Sequence, residues 1–394
     1  MLASRGLARP ADAMLVCKLR PPGECFMRSH LKYLHRTVLL LVAALALAQV
    51  RDPLPVPDLP GYQTLKCDFH IHTVFSDGQV WPTVRVQEAW RDGLDAIALT
   101  DHIDYQPHKQ DVRSDPARPH ALAQAMAEQL GILLVPGFEV AQGDIHFNVL
   151  FVTDFTAYRG LDQAAALRVA KQQNAFVFWN HPGWRRPKAE WLPLVNGYYE
   201  EKLFQGMELI NGTTFYPHAF PWVEEKGLTI LANTDVHGLT AWEYPNRTRT
   251  ITLAFVSSRD LDGLHQALLA RRTIGWQGEN LWGSQDYLSG LFQGAVKREG
   301  GELRARPGGT LGIQLRNDSA LPFHLRVSQA PTWLRAVRPV ELRGQSVAVL
   351  ALTVTKEAPP GSQQVELGLE ATNCHTGPGR NLAVTLPVRV VIAQ

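Results

Sequence analysis

The sequence predicts an α/β domain, a closed barrel of parallel strands, followed by a small antiparallel β-sandwich. Three observations predict it. Between Lys66 and about Ala270, seven short apolar runs alternate with helical patterns. All but one of those runs begin or end in histidine, aspartate or glutamate. After about residue 285 the chain changes to short alternating segments separated by Gly, Pro and Asn, with no long amphipathic helix evident.

The N-terminus comes first. Met27 opens a basic stretch with Arg28, Lys32 and Arg36, and a hydrophobic run extends from Thr37 to Ala48. That run is shorter than the ~20 residues of a membrane span. It closes on Ala46-Leu47-Ala48, a small-x-small cleavage pattern. Residues 1–48 are therefore read as an upstream extension and a secretory signal peptide cleaved after Ala48, with Met27 as the true start. An uncleaved anchor is the competing reading. The expected location is the periplasm or the exterior, with no transmembrane anchor in the mature chain.

The leader also distorts the charge. The 394 residues carry 39 Lys+Arg and 37 Asp+Glu, a net +2. Residues 1–48 hold seven of the basic and two of the acidic residues, which leaves 32 and 35, or −3, for the remainder. A balance this close to neutral gives no electrostatic case for nucleic acid as an obligate partner. With 45% hydrophobic and 19% charged residues, a disordered chain is excluded. Cys17, Cys25, Cys67 and Cys374 are too few and too scattered for a disulfide scaffold or a thiolate zinc site. Cys67 and Cys374 fall in different expected domains, so no disulfide is expected between them.

Residues 49–65 form a proline-rich linker, and residues 66–284 the barrel. The strand candidates are 66–73, 95–102, 132–140, 146–152, 175–181, 206–212 and 228–237. Most are continuously apolar, as parallel strands buried on both faces are. Helix candidates at 82–92, 119–130, 161–173 and 259–270 alternate with them. This βαβ alternation argues for a parallel sheet, with an open doubly wound sheet as the rival of the barrel. Residues 285–394 read as an immunoglobulin-like β-sandwich.

The ionisable residues at the strand ends carry the chemistry. His70 and His72 sit at i and i+2 of the first strand and so share a face. Asp77 follows in SDG, and the second strand ends Thr100-Asp101-His102. Glu139 ends the third strand, His146 opens the fourth, His181 ends the fifth, and Asp235 and His237 end the seventh. Only the sixth strand is read as contributing nothing. Each motif alone reads as an ordinary core histidine. Together, six of the twelve histidines after residue 48 fall at strand ends between positions 70 and 237. Burying so many unpaired imidazoles and carboxylates without a metal costs several kcal/mol. Nitrogen and carboxylate donors without thiolate suit Zn, Mn or Fe and argue against Ca. Nine donors exceed the needs of one tetrahedral ion, so two or three ions are expected.

These residues resemble a known family, the PHP (polymerase and histidinol phosphatase) metal-dependent hydrolases. DFHIHTVFSDG is similar to its first motif, LTDHIDY to its second and PGFEV to its third, and WNHPGW and NTDVHG resemble the later ones. The resemblance covers about residues 66–270 and implies a distorted (β/α)7 barrel. It also implies a first ion on His70, His72, Glu139 and Asp235. Glu139 bridges to a second on His146 and His181, and a third sits on Asp77, His102 and His237. Asp77 stands where some members have histidine. Asp101 takes a supporting catalytic role, since alternation turns it away from His102. The stretch from Lys66 to Lys109 further resembles secreted phosphodiesterases of this family, including organophosphate-diester hydrolases.

The resemblance implies hydrolysis of a small-molecule phosphodiester, with a hydroxide bridging two ions as the nucleophile. His218, near Tyr216, is the candidate general acid, against a plain surface role. Lys109, Arg185, Arg186, Arg247 and Arg249 are candidate phosphate contacts, with Arg249 and His108 singled out for substrate binding. Trp184, Trp191, Tyr198, Tyr199, Phe215, Tyr216, Phe220 and Trp242 favour an apolar substituent if they are not packing residues. The alternatives are a phosphomonoesterase of the histidinol-phosphatase type, or a binding or adhesion protein working through its sandwich. A polymerase-associated role is disfavoured by the signal peptide.

Overall fold

The computed structural model describes residues 50–113, 115–245 and 249–393, and residues 51–394 form one compact unit. The expected extension and signal peptide lie outside the described residues, as does Arg247. No helix among the described residues is long and apolar enough to cross a membrane.

The first half is a curled sheet of eleven strands: β1 (Gln63–Asp68), β2 (Ala96–Leu99), β3 (Leu133–Gln142), β4 (Ile145–Leu150), β5 (Phe176–Trp179), β6 (Gly206–Asn211), β7 (Thr214–Phe215), β8 (Thr229–Asn233), β9 (Ile251–Val256), β10 (Thr273–Gln277) and β11 (Asn280–Gly283). The expected runs all appear, and β7 and β9 to β11 come in addition. β1, β2 and β3 pair in parallel, as do β5, β6 and β8. The sheet is nevertheless mixed. β3 to β4 is a hairpin with only Gly143 and Asp144 between paired residues, and a parallel crossover needs a dozen residues or more. Gly143 adopts φ +65°, as a tight turn there requires. β9 runs antiparallel to β1.

The expected closed barrel is not formed by a continuous ladder. Where β8 comes round to β1 there is an isolated parallel bridge between Ile71 and Val236, with Asp235 N–H donating to His70 O and His72 N–H to Val236 O. The Thr252 hydroxyl bonds Ala232 from β9. This partial closure sets the ends of β1 and β8 side by side, each carrying ionisable side chains.

The helices follow their local signals. Pro82 starts the first, at Pro82–Arg91, and Gly131, at φ +69°, ends the one at Arg118–Leu130. Asp162, Asp260 and Ser284 cap the helices at Gln163–Gln172, Leu261–Leu269 and Gln285–Ala295 through side-chain oxygens. Shorter helices at Pro193–Glu200, Phe220–Lys226 and Thr240–Glu243 escaped the periodicity reading.

The remainder is an Ig-like arrangement of two layers. One contains β12 (Val296–Glu299), β14 (Thr310–Asn317), β16 (Leu334–Ala336) and β18 (Ser346–Val354). The other contains β13 (Leu303–Ala305), β15 (Phe323–Gln329), β17 (Val340–Leu342), β19 (Gly361–Gly377) and β20 (Arg380–Ile392). Both layers are antiparallel except where β13 runs parallel to β20. β14 alternates exposed and buried residues along its whole length, the mark of a strand with one face in a core. The second layer continues the sheet of the first half, because β11 pairs in parallel with β19 at Leu281↔Cys374 and Trp282↔His375. The amphipathic helix Gln285–Ala295, which the sequence reading did not see, packs Leu288, Leu291 and Phe292 into a core shared by both halves. Its Phe292 ring meets Phe323 at 5.2 Å. Each such buried side chain contributes about 1.5–3 kcal/mol. Cys67 and Cys374 are free and buried.

Candidate metal centre

Beyond β1 the chain runs extended through His70 and His72, between the ends of β2 and β8. The two imidazoles therefore point the same way, with Nε2 atoms 3.1 Å apart. Glu139, on β3, sets Oε2 3.2 Å from both. Asp235, at φ +55°, sets Oδ1 3.1 Å from His70 and 3.0 Å from His72. Donors 2.0–2.2 Å from one ion lie roughly 2.8–3.6 Å from each other, whether octahedral or tetrahedral.

Glu139 serves two neighbourhoods. Its Oε1 accepts from His146 Nδ1 and Asn180 Nδ2, both at 2.8 Å, and its Oε2 lies 3.4 Å from His102 Nε2. Asp77 Oδ1 lies 3.3 Å from His237 Nε2 and 3.4 Å from His72 Nδ1. The His72 and His237 rings stack at 4.2 Å. Gly78 makes the Asp77 loop possible, because a Cβ there would come within 2.6 Å of the His72 backbone. His181 Nε2 is 3.7 Å from Glu139 and 4.0 Å from Asp235.

All nine residues singled out as metal ligands thus meet in one cluster. Five overlapping groups bring donor atoms within 4.8 Å: His70–His72–Glu139, His70–His181–Asp235, His72–Asp77–His102, His72–Asp235–His237 and His102–Glu139–His146. The grouping differs in part from the one the family resemblance implies. His102 also joins Glu139 and His146, and His181 goes with His70 and Asp235. Divalent ions fit this arrangement. Asp77 Oδ1 and Asp235 Oδ1, both facing imidazoles of the cluster, are buried without a hydrogen-bond partner. Asp235 Oδ1 is within ion-pair distance of two imidazoles yet makes no aligned hydrogen bond, so these donors converge on common points instead of on one another.

The electrostatics agree. Burial alone would raise the Glu139 and Asp235 carboxyls, but the surrounding imidazoles hold both well below the usual carboxylate range. Burial would lower His72, yet the adjacent Asp235 and Glu139 carboxylates, 3.0 and 3.2 Å from its Nε2, hold it up at about 10. His102 is pushed down to about 4, chiefly by burial. In the metal-free protein, protons on imidazoles balance the carboxylates, and divalent cations take over that role.

The other expected site residues are placed differently. Asp101 is buried, and its two oxygens accept from Thr73 N–H, the Thr73 hydroxyl and the Ser76 hydroxyl. It braces the loop that carries Asp77, and Ser76 Oγ lies 3.2 Å from His72 Nδ1, so it acts through neighbours. Arg249 is a correction. It is buried between Asp68 and Asp92, at 2.9 and 3.0 Å, and is committed to tying the end of β1 to the end of the helix Pro82–Arg91. Its neighbour in this frame is Arg85, whose buried guanidinium donates to the carbonyls of His72, Val236, His237 and Gly238. His218 and His108 are exposed in turns, and no described hydrogen bond or ion pair of their side chains reaches the cluster. Arg186 is paired with Asp144 at 2.6 Å.

The rim is aromatic. Trp184 stands 5.0 Å from the His146 ring and 5.2 Å from His181. The Arg185 guanidinium lies 4.1 Å above it, on a backbone at φ +57°. Tyr105 stands 6.1 Å from His102. Tyr216 sits against Gly183, its hydroxyl pushed up by burial and then by Glu208 and Asp235. Trp191, Tyr199, Phe215 and Phe220 pack against other rings.

The sequence reading missed Glu208. It is the acidic residue of the sixth strand, fully buried, 2.9 Å from His70 Nδ1. The signal available was a lone glutamate inside the apolar run GMELING.

Comparison with known proteins adds four findings. A family profile for an Ig-like domain matches residues 298–387. A two-domain protein of Bacteroides vulgatus, described as containing a predicted PHP-like metal-dependent phosphoesterase, is 39% identical, with a TM-score of 0.80 over 86% of this chain and all of that one. A metal-dependent phosphoesterase structure from Bifidobacterium adolescentis is 15% identical with a TM-score of 0.37, covering 52% of this chain and 96% of that one. An uncharacterized protein of Methanocaldococcus jannaschii is 25% identical over 187 residues, 44% of this chain and 82% of its own length.

Proposed function

The chain belongs to the two-domain PHP-like metal-dependent phosphoesterases, and from that premise we propose that it hydrolyses small-molecule phosphodiesters outside the cytoplasm. The rim carries the diester reading. Trp184 presents an apolar surface against two of the ligand imidazoles, with one guanidinium, Arg185, stacked on it. A monoester brings more negative charge and calls for several clustered cations. Here Arg186 is paired with Asp144 and Arg249 is buried between two aspartates. One positive charge beside an aromatic face suits a singly charged diester with an apolar substituent.

His70, His72, Asp77, His102, Glu139, His146, His181, Asp235 and His237 would hold two or three ions, of Zn, Mn or Fe. Bound divalent ions supply Lewis-acid charge neutralisation and a more acidic water. The chain's own residues do the rest. Glu139 faces two donor groups at once and fixes their separation. Trp184 shields the His146 and His181 side of the cluster. Arg185 offsets charge on the non-bridging phosphoryl oxygens. His218, in its exposed turn, remains a candidate proton donor to the leaving alkoxide, and His108 a candidate contact at the rim.

The test gives bis(p-nitrophenyl) phosphate and p-nitrophenyl phosphate in parallel to the chain loaded with Mn or Zn. The diester should turn over with the higher kcat/KM, and preference for the monoester sinks the reading. Fractionation with N-terminal sequencing tests the location: a secreted product should begin at Gln49, and an intact leader on cytoplasmic protein overturns it.

A further inference from the structure

We propose that Glu208 is the positioning residue that holds three of the expected ligands, His70, His181 and Asp235, in place for one ion. The proposal rests on the metal-dependent reading of the cluster. Glu208 is completely buried in β6, where the register against β8 slips by one residue between Glu208 and Ile210. A slip of this kind re-aims side chains next to a site. Here the carboxylate faces the cluster from a strand that supplies none of the nine expected ligands.

Each contact it makes is with a donor. Oε1 lies 2.9 Å from His70 Nδ1 and accepts from Asn233 Nδ2 at 3.0 Å. Oε2 accepts from the His181 backbone N–H and from Asn211 Nδ2, both at 2.9 Å. The first contact fixes a tautomer. A carboxylate only accepts, so Nδ1 of His70 carries the hydrogen and Nε2 is left to turn its lone pair toward His72, Glu139 and Asp235. The third contact anchors the His181 backbone in a left-handed conformation, φ +28°, that a side chain disfavours. The fourth passes through Asn211, whose Nδ2 also reaches Asp235 Oδ2 at 3.2 Å.

His70, His181 and Asp235 are also one of the five donor groups that converge within 4.8 Å. One carboxylate therefore touches, directly or through one amide, every member of a single group. His146 and Asp77 have no such link to it in the hydrogen bonds described. Glutamine at this position keeps the shape but turns an NH2 against donors on one side, so it breaks the positioning without removing a ligand.

The experiment strips the full chain with chelator and titrates Co(II), reading bound metal and visible absorption, for wild type, Glu208→Gln and Asn211→Ala. Glu208→Gln should lower affinity for one ion by about 10–100-fold, with a changed Co(II) spectrum, while the other ions bind as in wild type. Asn211→Ala, which leaves the other three contacts of Glu208 in place, should give a smaller loss for the same ion. Wild-type affinity and spectrum in Glu208→Gln overturn the proposal, as does an equal loss for every ion. If Glu208→Gln fails to fold by circular dichroism, Asn211→Ala decides, and unchanged affinity there overturns it. A wild-type chain that binds no Co(II) overturns the metal reading itself.

Discussion

The two halves of this molecule share a sheet but treat charge in opposite ways. Among the described residues, every buried ionisable polar side chain from Asp68 to Arg249 belongs to the hydrolase half. In the Ig-like half the buried polar residues are Asn317, Ser319 and Asn373. Those three brace turns, as when the Asn317 amide donates to Leu321 O and Arg343 O. A buried charge without a matched partner costs several kcal/mol, and even a paired one returns little stability. A half that buries thirteen such groups is committed to something other than stability, and a half that buries none is a packed support. The contrast locates the chemistry before any motif is consulted.

Removing the most connected carboxylate should break the contrast hardest. Glu139 faces His70, His72, His102 and His146. Glu139→Gln should lower diester kcat/KM by at least about 10³-fold, the several kcal/mol that metal charge contributes to phosphoryl transfer. Loss of bound metal by elemental analysis should accompany it. Activity near wild type would mean that the cluster is not the site.

The opposite half should show the opposite phenotype. Leu352 is fully buried in β18. Leu352→Ala should cost about 2–5 kcal/mol in denaturant unfolding. The kcat/KM of the folded fraction should stay unchanged. A fall in kcat/KM without a fall in stability would show that the Ig-like half reaches into catalysis.

The sequence made most of this division legible, for a physical reason. Metal ligands must be particular residue types at strand ends, so His70-x-His72 or Asp235-x-His237 stands out against an apolar run. Strand direction is carried by connection length and was misjudged at β3 and β4, although the two runs lie too close together for a crossover. Glu208 was missed because a buried acceptor needs only donors around it, and those come from Asn211 and Asn233 and from the backbone of His181. Arg249 was misplaced because its buried carboxylate partners, Asp68 and Asp92, lie far away in sequence. The helix Gln285–Ala295 was missed because its glycine and serine residues blur the apolar stripe.

Acid should separate the halves more gently. Asp95 is nearly buried among Arg51, Lys66 and Arg259. Burial would raise its carboxyl, but Lys66 and Arg259 hold it below the usual range. Its folded value therefore lies below the unfolded one of about 3.9, so its contribution is complete above that pH and is lost as pH falls through the folded value. Asp95→Asn should remove about 1.5–3 kcal/mol at neutral pH and less in acid. Urea unfolding at pH 7 and pH 3 checks this, and an equal loss at both overturns it.

The smallest expected effect tests how far the hydrolase half recognises its substrate as well as reacting with it. Trp184 touches the ligand rings of His146 and His181 but donates nothing to the cluster, so its removal should leave metal content intact. An aromatic stacking contact is worth about 0.5–1.5 kcal/mol beyond burial. Trp184→Ala should therefore raise KM for an aryl diester by about 2–10-fold, with dimethyl phosphate much less affected. The Arg185 guanidinium loses its platform in the same variant. Arg185→Ala separates the two contributions. If charge is what matters, that variant should weaken both diesters alike. If the ring is what matters, Arg185→Ala should leave both diesters near wild type and only Trp184→Ala should weaken the aryl diester. Equal KM values for wild type and both variants would leave the aromatic rim as packing and remove the support for an apolar substituent.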